Sequence, residues 1–186
     1  KKPKELRNVY QIKISLRGIR PPIWRRLEVF SDTTLDQLHL IFQLAMGWAN
    51  YHLHQFTIEG KEYGQPDPDY DFEMENEKKV KLYQVVPMEK FKFSYEYDFG
   101  DNWQHTVLVE KILPEEKGKH YPNCAKGKRA CPPEDVGGAW GYADFLEALK
   151  DAKHPDHEDM LEWIGGEYDP EEFDIKDVNE RLRQIS

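Results

Sequence analysis

The chain has 186 residues, 39% hydrophobic and 13% aromatic, enough to build one domain with a substantial core, and its aromatic content argues against disorder. A formal net charge of −9 opposes nucleic acid and anionic membranes on average. No apolar run reaches spanning length and no signal-type apolar region follows the N-terminal lysines, so a cytoplasmic protein with no membrane partner is expected.

In chain order, Asn8 to Leu16 alternates as a strand, with Val9, Ile12, Ile14 and Leu16 apolar. Gly18 and Pro21-Pro22 break it, and Ile23 to Phe30 reads as a second strand in a hairpin. Ser31 to Thr34 is a helix-start cluster, with Gln37 placed for a capping box after Thr34 and Gly47 as the stop. Leu35, Leu38, Phe42, Ala45 and Met46 form the stripe of that helix. His52 to Glu59 reads as a third strand with His52, His54, Phe56 and Ile58 on one face. From Asp67 to Glu77 every odd position is acidic, which reads as an edge strand or a mobile loop. An EF-hand is excluded by Phe72 and Lys78 at the obligatory glycine and glutamate places.

Phe91 to Asp98 and Trp103 to Ile112 are the clearest strands, with Phe91, Phe93, Tyr95 and Tyr97 matched to Trp103, His105, Val107 and Val109. Matching these faces requires an odd loop, expected as Gly100 to Asn102 with Tyr97 opposite His105, and it turns His105 towards the core. Lys117 to Pro133 has no acids, carries Lys126, Lys128, Arg129 and both cysteines, and reads as a functional loop. Helices are expected near Tyr142 to Lys150, Asp156 to Ile164 and Ile175 to Ile185. The order predicts a single α+β domain over 1–186: a strand-rich part at 8–113, a loop at 114–140 and a helical part at 141–186. Its sheet is mixed or antiparallel, with a β-grasp-like ββαβ start.

Three chemistries fit the residues. His52 and His54, about 7 Å apart along one strand face, could chelate a divalent metal such as zinc with His105, supported by Asp98 or Asp101. Alternatively Cys124 and Cys131 could hold zinc with His120 or His105, although their spacing is wider than usual for such sites. Asp98, Asp101, Glu134 or Asp135 could act with His105 in acid–base catalysis, against the simpler reading of Asp98 and Asp101 as turn caps. Arg17, Arg20, Arg25, Arg26, Lys126, Lys128 and Arg129 could bind an anionic polymer, with Trp24, Tyr121 and Trp103 to stack bases. No Walker loop, nucleophile elbow or dinucleotide fingerprint is present, and Asp98-Phe99-Gly100 lacks the rest of a kinase signature.

The segments Tyr10–Leu16, Pro21–Arg26, Met46–Trp48 with His52–His54, Tyr97–His105, Cys131–Gly138 and His154–His157, together with Trp163, resemble the plasmid pRiA4b ORF-3-like family across almost the whole chain. The resemblance implies a microbial α+β domain and a link to mobile elements that favours a nucleic-acid connection. It supplies no catalytic residues. Its motifs fall on His52, His54, Asp98, Asp101, His105, Cys131, Glu134 and Asp135, which implies one shared site. The expected function is a binding or interaction module with a protein or nucleic-acid partner. A metal-dependent hydrolase and a nucleic-acid accessory protein are the alternatives.

Overall fold

The computed structural model describes residues 6–69 and 73–185. Its strands are β1 (Asn8–Leu16), β2 (Trp24–Phe30), β3 (His54–Ile58), β4 (Lys61–Gly64), β5 (Glu75–Asn76), β6 (Lys92–Tyr97), β7 (Trp103–Pro114) and β8 (Asn123–Lys128). Its helices are α1 (Leu35–Met46), α2 (Leu82–Val85), α3 (Gly138–Lys150), α4 (His157–Ile164) and α5 (Ile175–Leu182). Among the described residues the strands form one sheet in the order β5-β4-β3-β6-β7-β1-β2-β8. Only β4–β5 is parallel, so the sheet is mixed and the fold is α+β. The ββαβ order opens the chain, with the β6–β7 hairpin inserted between β3 and β1.

Alternation decides which face is buried. Ile12, Ile14 and Leu16 of β1, Leu27 and Val29 of β2, Tyr95 and Tyr97 of β6, and Val107 and Val109 of β7 pack against Leu35, Leu38, Phe42 and Ala45 of α1 in one core. Burying a side chain of this size contributes about 1.5–3 kcal/mol, which adds to the helix-forming Leu, Gln, Ala and Met that make up most of α1. Thr34 starts α1, its N–H donating to Gln37 Oε1 at 3.1 Å, and Gly47 ends it in the left-handed region at φ 114°. With no basic residue in its last turn, α1 receives its C-terminal cation from β2: Arg25 donates to Ala45 O and Met46 O at 2.8 and 3.2 Å.

Three expectations change. The β6–β7 loop is odd, as expected, but spans Asp98 to Asn102, so Tyr95 rather than Tyr97 faces His105. Turn chemistry overrides the shorter loop: Asp98 Oδ1 accepts from Gly100 and Asp101 N–H, Asp98 O accepts from Asn102 N–H, and both Asp98 and Asn102 adopt positive φ. The 117–133 stretch contains β8, which pairs with β2. Asn179 of α5 covers the outer side of β8, accepting from Cys124 N–H at 2.7 Å and donating to Cys124 O at 3.0 Å. Of the acidic run, Glu75 lies on edge strand β5 and Glu77 begins a 3-10 turn, whereas Asp71 and Phe72 lie outside the described residues.

Along β1 the register on β7 jumps from Gln11–Lys111 to Ile12–Val109, leaving Glu110 as a bulge residue. The bulge reverses side-chain parity, so Val109 and Ile112 can both face inward.

Candidate functional site

Three segments meet at one end of the sheet: the turn after α1, the β6–β7 turn, and the loop ahead of α3. The first begins with Trp48, whose ring lies 5.3 Å from Tyr97 and 5.1 Å from Trp103. Asn50 takes a positive φ, donates to Gln43 Oε1 at 2.8 Å, and so ends the helical direction before β3. His52 therefore precedes β3 instead of lying on its inner face, and its Nε2 turns to the acids of the other two segments.

Those acids are held by the backbone. Asp98 uses Oδ1 for the turn and leaves Oδ2 at 3.5 Å from His52 Nε2. Glu134 Oε1 accepts from Ala49 N–H and from Tyr97 O–H, each at 2.8 Å, while its Oε2 lies 3.9 Å from His52 Nε2. Asp135, with positive φ, brings Oδ1 to 2.7 Å from the same nitrogen. His52 Nε2 and Glu134 Oε2 are both buried atoms without a hydrogen-bond partner. Burial, then the Glu134 carboxylate, pushes the Tyr97 phenol up, so Tyr97 stays a donor.

Asp101 closes the arrangement. Its Oδ2 accepts from Gly137 N–H at 3.1 Å, and Gly138 lies so close to Asp101 O that a Cβ there would stand 2.4 Å from it. Asp101 is thus a clamp between hairpin and loop, not part of the cluster.

The structure gathers His52, Asp98, Glu134 and Asp135 and separates the other expected ligands. His54 faces inward, with Nε2 3.0 and 2.8 Å from the two oxygens of buried Glu77 and its ring stacked on His39 at 3.3 Å. His105 is fully buried. Trp48 Nε1–H donates to its Nε2 at 3.3 Å, which leaves Nδ1–H to donate to Tyr95 O at 3.1 Å and commits both nitrogens. Burial lowers His105 to about 4, and burial aided by His54 lowers His39 to about 3, so both rings are neutral. The ligand set His52–His54–His105 is therefore not formed, nor is His105 placed as an acid–base partner.

Cys124 and Cys131 are free thiols, pushed upward chiefly by burial, and neither joins the gathered ligand group. Among the expected anion-binding residues, Arg25 and Arg129 are buried and used internally, Arg25 on α1 and Arg129 on Pro21 O and Glu171. Arg20, Lys126 and Lys128 are exposed, and Arg26 pairs with Glu110.

Sequence reasoning missed Tyr97 as the positioner of Glu134, although an inward tyrosine before Asp98 needs a partner for its hydroxyl. It also missed Glu77, which nothing distinguishes from its acidic neighbours.

An α+β sheet protein with a His/Asp/Glu cluster where a hairpin turn meets a docked loop is the class these features define. No described helix is long and apolar enough to cross a membrane. The chain belongs to the plasmid pRiA4b ORF-3-like protein family, whose model matches residues 8–177. It is 35% identical over 181 residues to the uncharacterised protein y4hQ of Sinorhizobium fredii, covering 96% of this chain and 93% of that protein. It is also similar to a crystal structure of a protein of unknown function from Methanosarcina mazei Go1, with a TM-score of 0.84 and 44% identity, covering 94% of this chain and 99% of that one.

Proposed function

We propose that the protein is a binding module whose ligand is a divalent metal ion held by His52, Asp98 and Asp135, with Glu134 as a fourth donor. One observation carries this reading: His52 Nε2 and one oxygen each from Asp98 and Asp135 lie within 4.8 Å of one another. Ligands about 2.1 Å from a shared ion stand roughly 3.0–3.4 Å apart, depending on geometry. The separations of 2.7, 3.5 and 3.9 Å from His52 Nε2 bracket that range, so sub-ångström side-chain adjustments suffice. An ion would also satisfy Glu134 Oε2, which is buried without a partner.

One imidazole with carboxylates and no thiolate favours zinc or manganese over soft ions. Metal analysis and calorimetric titration of untagged protein test the reading. About one equivalent of Zn²⁺ or Mn²⁺ per chain is expected, with binding abolished in Asp98→Asn/Asp135→Asn. Sub-stoichiometric occupancy by every divalent transition metal overturns it.

The exposure of Asp135, beside three more buried donors, favours a second reading, a metal-dependent hydrolase. The Asp135 side chain is 62% exposed and lines a cavity of about 380 Å³ with Asp144, Asp156 and Trp163. An ion with open positions there would bind water and lower its pKa. Turnover of chromogenic ester or phosphodiester substrates that tracks metal occupancy favours this reading; loaded protein without turnover favours the binding module.

A further inference from the structure

The sheet face opposite α1 carries a charge that the net −9 conceals. Pairing places Lys126 of β8, Arg26 of β2, Lys13 of β1, Leu108 of β7 and Lys92 of β6 in one row across five strands. At about 4.8 Å per strand the row spans roughly 19 Å. The adjacent row holds Lys128, Trp24, Ser15, Thr106 and Ser94. None of these side chains belongs to the apolar core, and Lys92, Lys126 and Lys128 are exposed.

Arg17 adds a further cation. Its Nε and Nη2 donate to the Thr106 and Ser94 hydroxyls, each at 2.8 Å, so the guanidinium is fixed over this face by hydroxyls instead of a carboxylate. Two acids among these strands are engaged, Glu110 by Arg26 and Glu28 by Lys119, while Glu96 of β6, in the row beyond Ser94, and Glu62 of β4 bound the patch on its acidic side. Trp24 lies within it, its ring centroid 4.6 Å from Lys13 Nζ and 5.2 Å from Arg26 Cζ.

We infer that this open face binds single-stranded nucleic acid. Aligned cations match a phosphate backbone, and the half-buried Trp24 ring would stack an unpaired base, which a duplex does not offer, once Lys13 and Arg26, which lie over the ring, turn to phosphates. The inference is independent of the metal cluster, because none of its residues is a proposed ligand.

Fluorescence anisotropy with a labelled oligothymidylate of about a dozen nucleotides, measured with EDTA present, tests it. Neutralising about four phosphates at a slope of roughly −0.7 each predicts about 50-fold weaker binding between 50 and 200 mM salt. Lys126→Glu/Lys128→Glu, at exposed positions, is expected to weaken binding at least tenfold with an unchanged circular dichroism spectrum. Trp24→Ala is expected to weaken it about fivefold or more. No binding at 50 mM salt, or full binding by the charge-reversed variant, overturns the inference. So does a preference for duplex or for phosphatidylserine vesicles over the oligonucleotide.

Discussion

Substituting Gly138 by alanine tests whether the contact between hairpin and loop sets the geometry of the His/Asp/Glu cluster. Gly138 has φ +72°, which costs a residue with a Cβ about 1–2 kcal/mol. The new methyl would also stand 2.4 Å from Asp101 O, where ordinary contact begins at 3.4 Å. That oxygen belongs to backbone already fixed by the amides on Asp98, so the 134–138 loop must retreat by about 1 Å, beyond the roughly 0.5 Å a ligand constellation tolerates. Strain and overpacking together predict a loss of about 2–4 kcal/mol, read as a lower urea midpoint at constant m. Metal affinity should fall at least tenfold. Gly118→Ala is the control: its φ is +80° and its Cβ would meet open space, so it should lose about 1–2 kcal/mol and keep its affinity. If the two variants are equally stable and bind metal equally well, the reasoning is wrong.

Two further predictions concern buried groups. His105 and His39, lowered by burial to about 4 and about 3, remain neutral in the fold while the unfolded chain protonates near pH 6.5. The unfolded state therefore holds more protons between those values. Stability is full above about pH 6.5 and falls as pH drops, by about 2–3 kcal/mol per unit near pH 5. Thermal midpoints measured across pH 7 to 4 check this; a flat profile, or no reduction of the slope in His105→Gln, contradicts it. Burial pushes Cys124 up to about 11, so a thiol reagent should not label this buried thiol at neutral pH until denaturant is added. Rapid labelling of Cys124 in the folded Cys131→Ser variant would refute that.

Much of the fold is legible where local chemistry and tertiary packing agree. Thr34 and Gln37 mark the start of α1, Gly47 its end, and the matched apolar faces of β6 and β7 require an odd loop that turns His105 inward. β8 is not legible, because Asn-Cys-Ala-Lys-Gly-Lys carries no apolar alternation and becomes a strand by pairing with β2. The candidate site is readable in composition but not in geometry. Asp98, Glu134 and Asp135 stand out as acids beside turns, yet the approach of His52 depends on the positive φ of Asn50, which separates His52 from the strand carrying His54. Arg25 looks available for a polyanion in the sequence; only the end of α1, lacking a basic residue of its own, explains its burial.

The contact between Asn179 and Cys124 bears on how open the sheet is to pairing at its borders. A sheet has two borders, and each can recruit a strand from another chain. Here the β5 border offers a strand of two residues, Glu75–Asn76, too brief to nucleate such a ladder. The β8 border is longer, and Asn179 engages both main-chain groups of Cys124 with one carboxamide, as the next strand would. One side chain thus stands in for a missing ninth strand, leaving a neighbouring molecule without an unoccupied rung at that point.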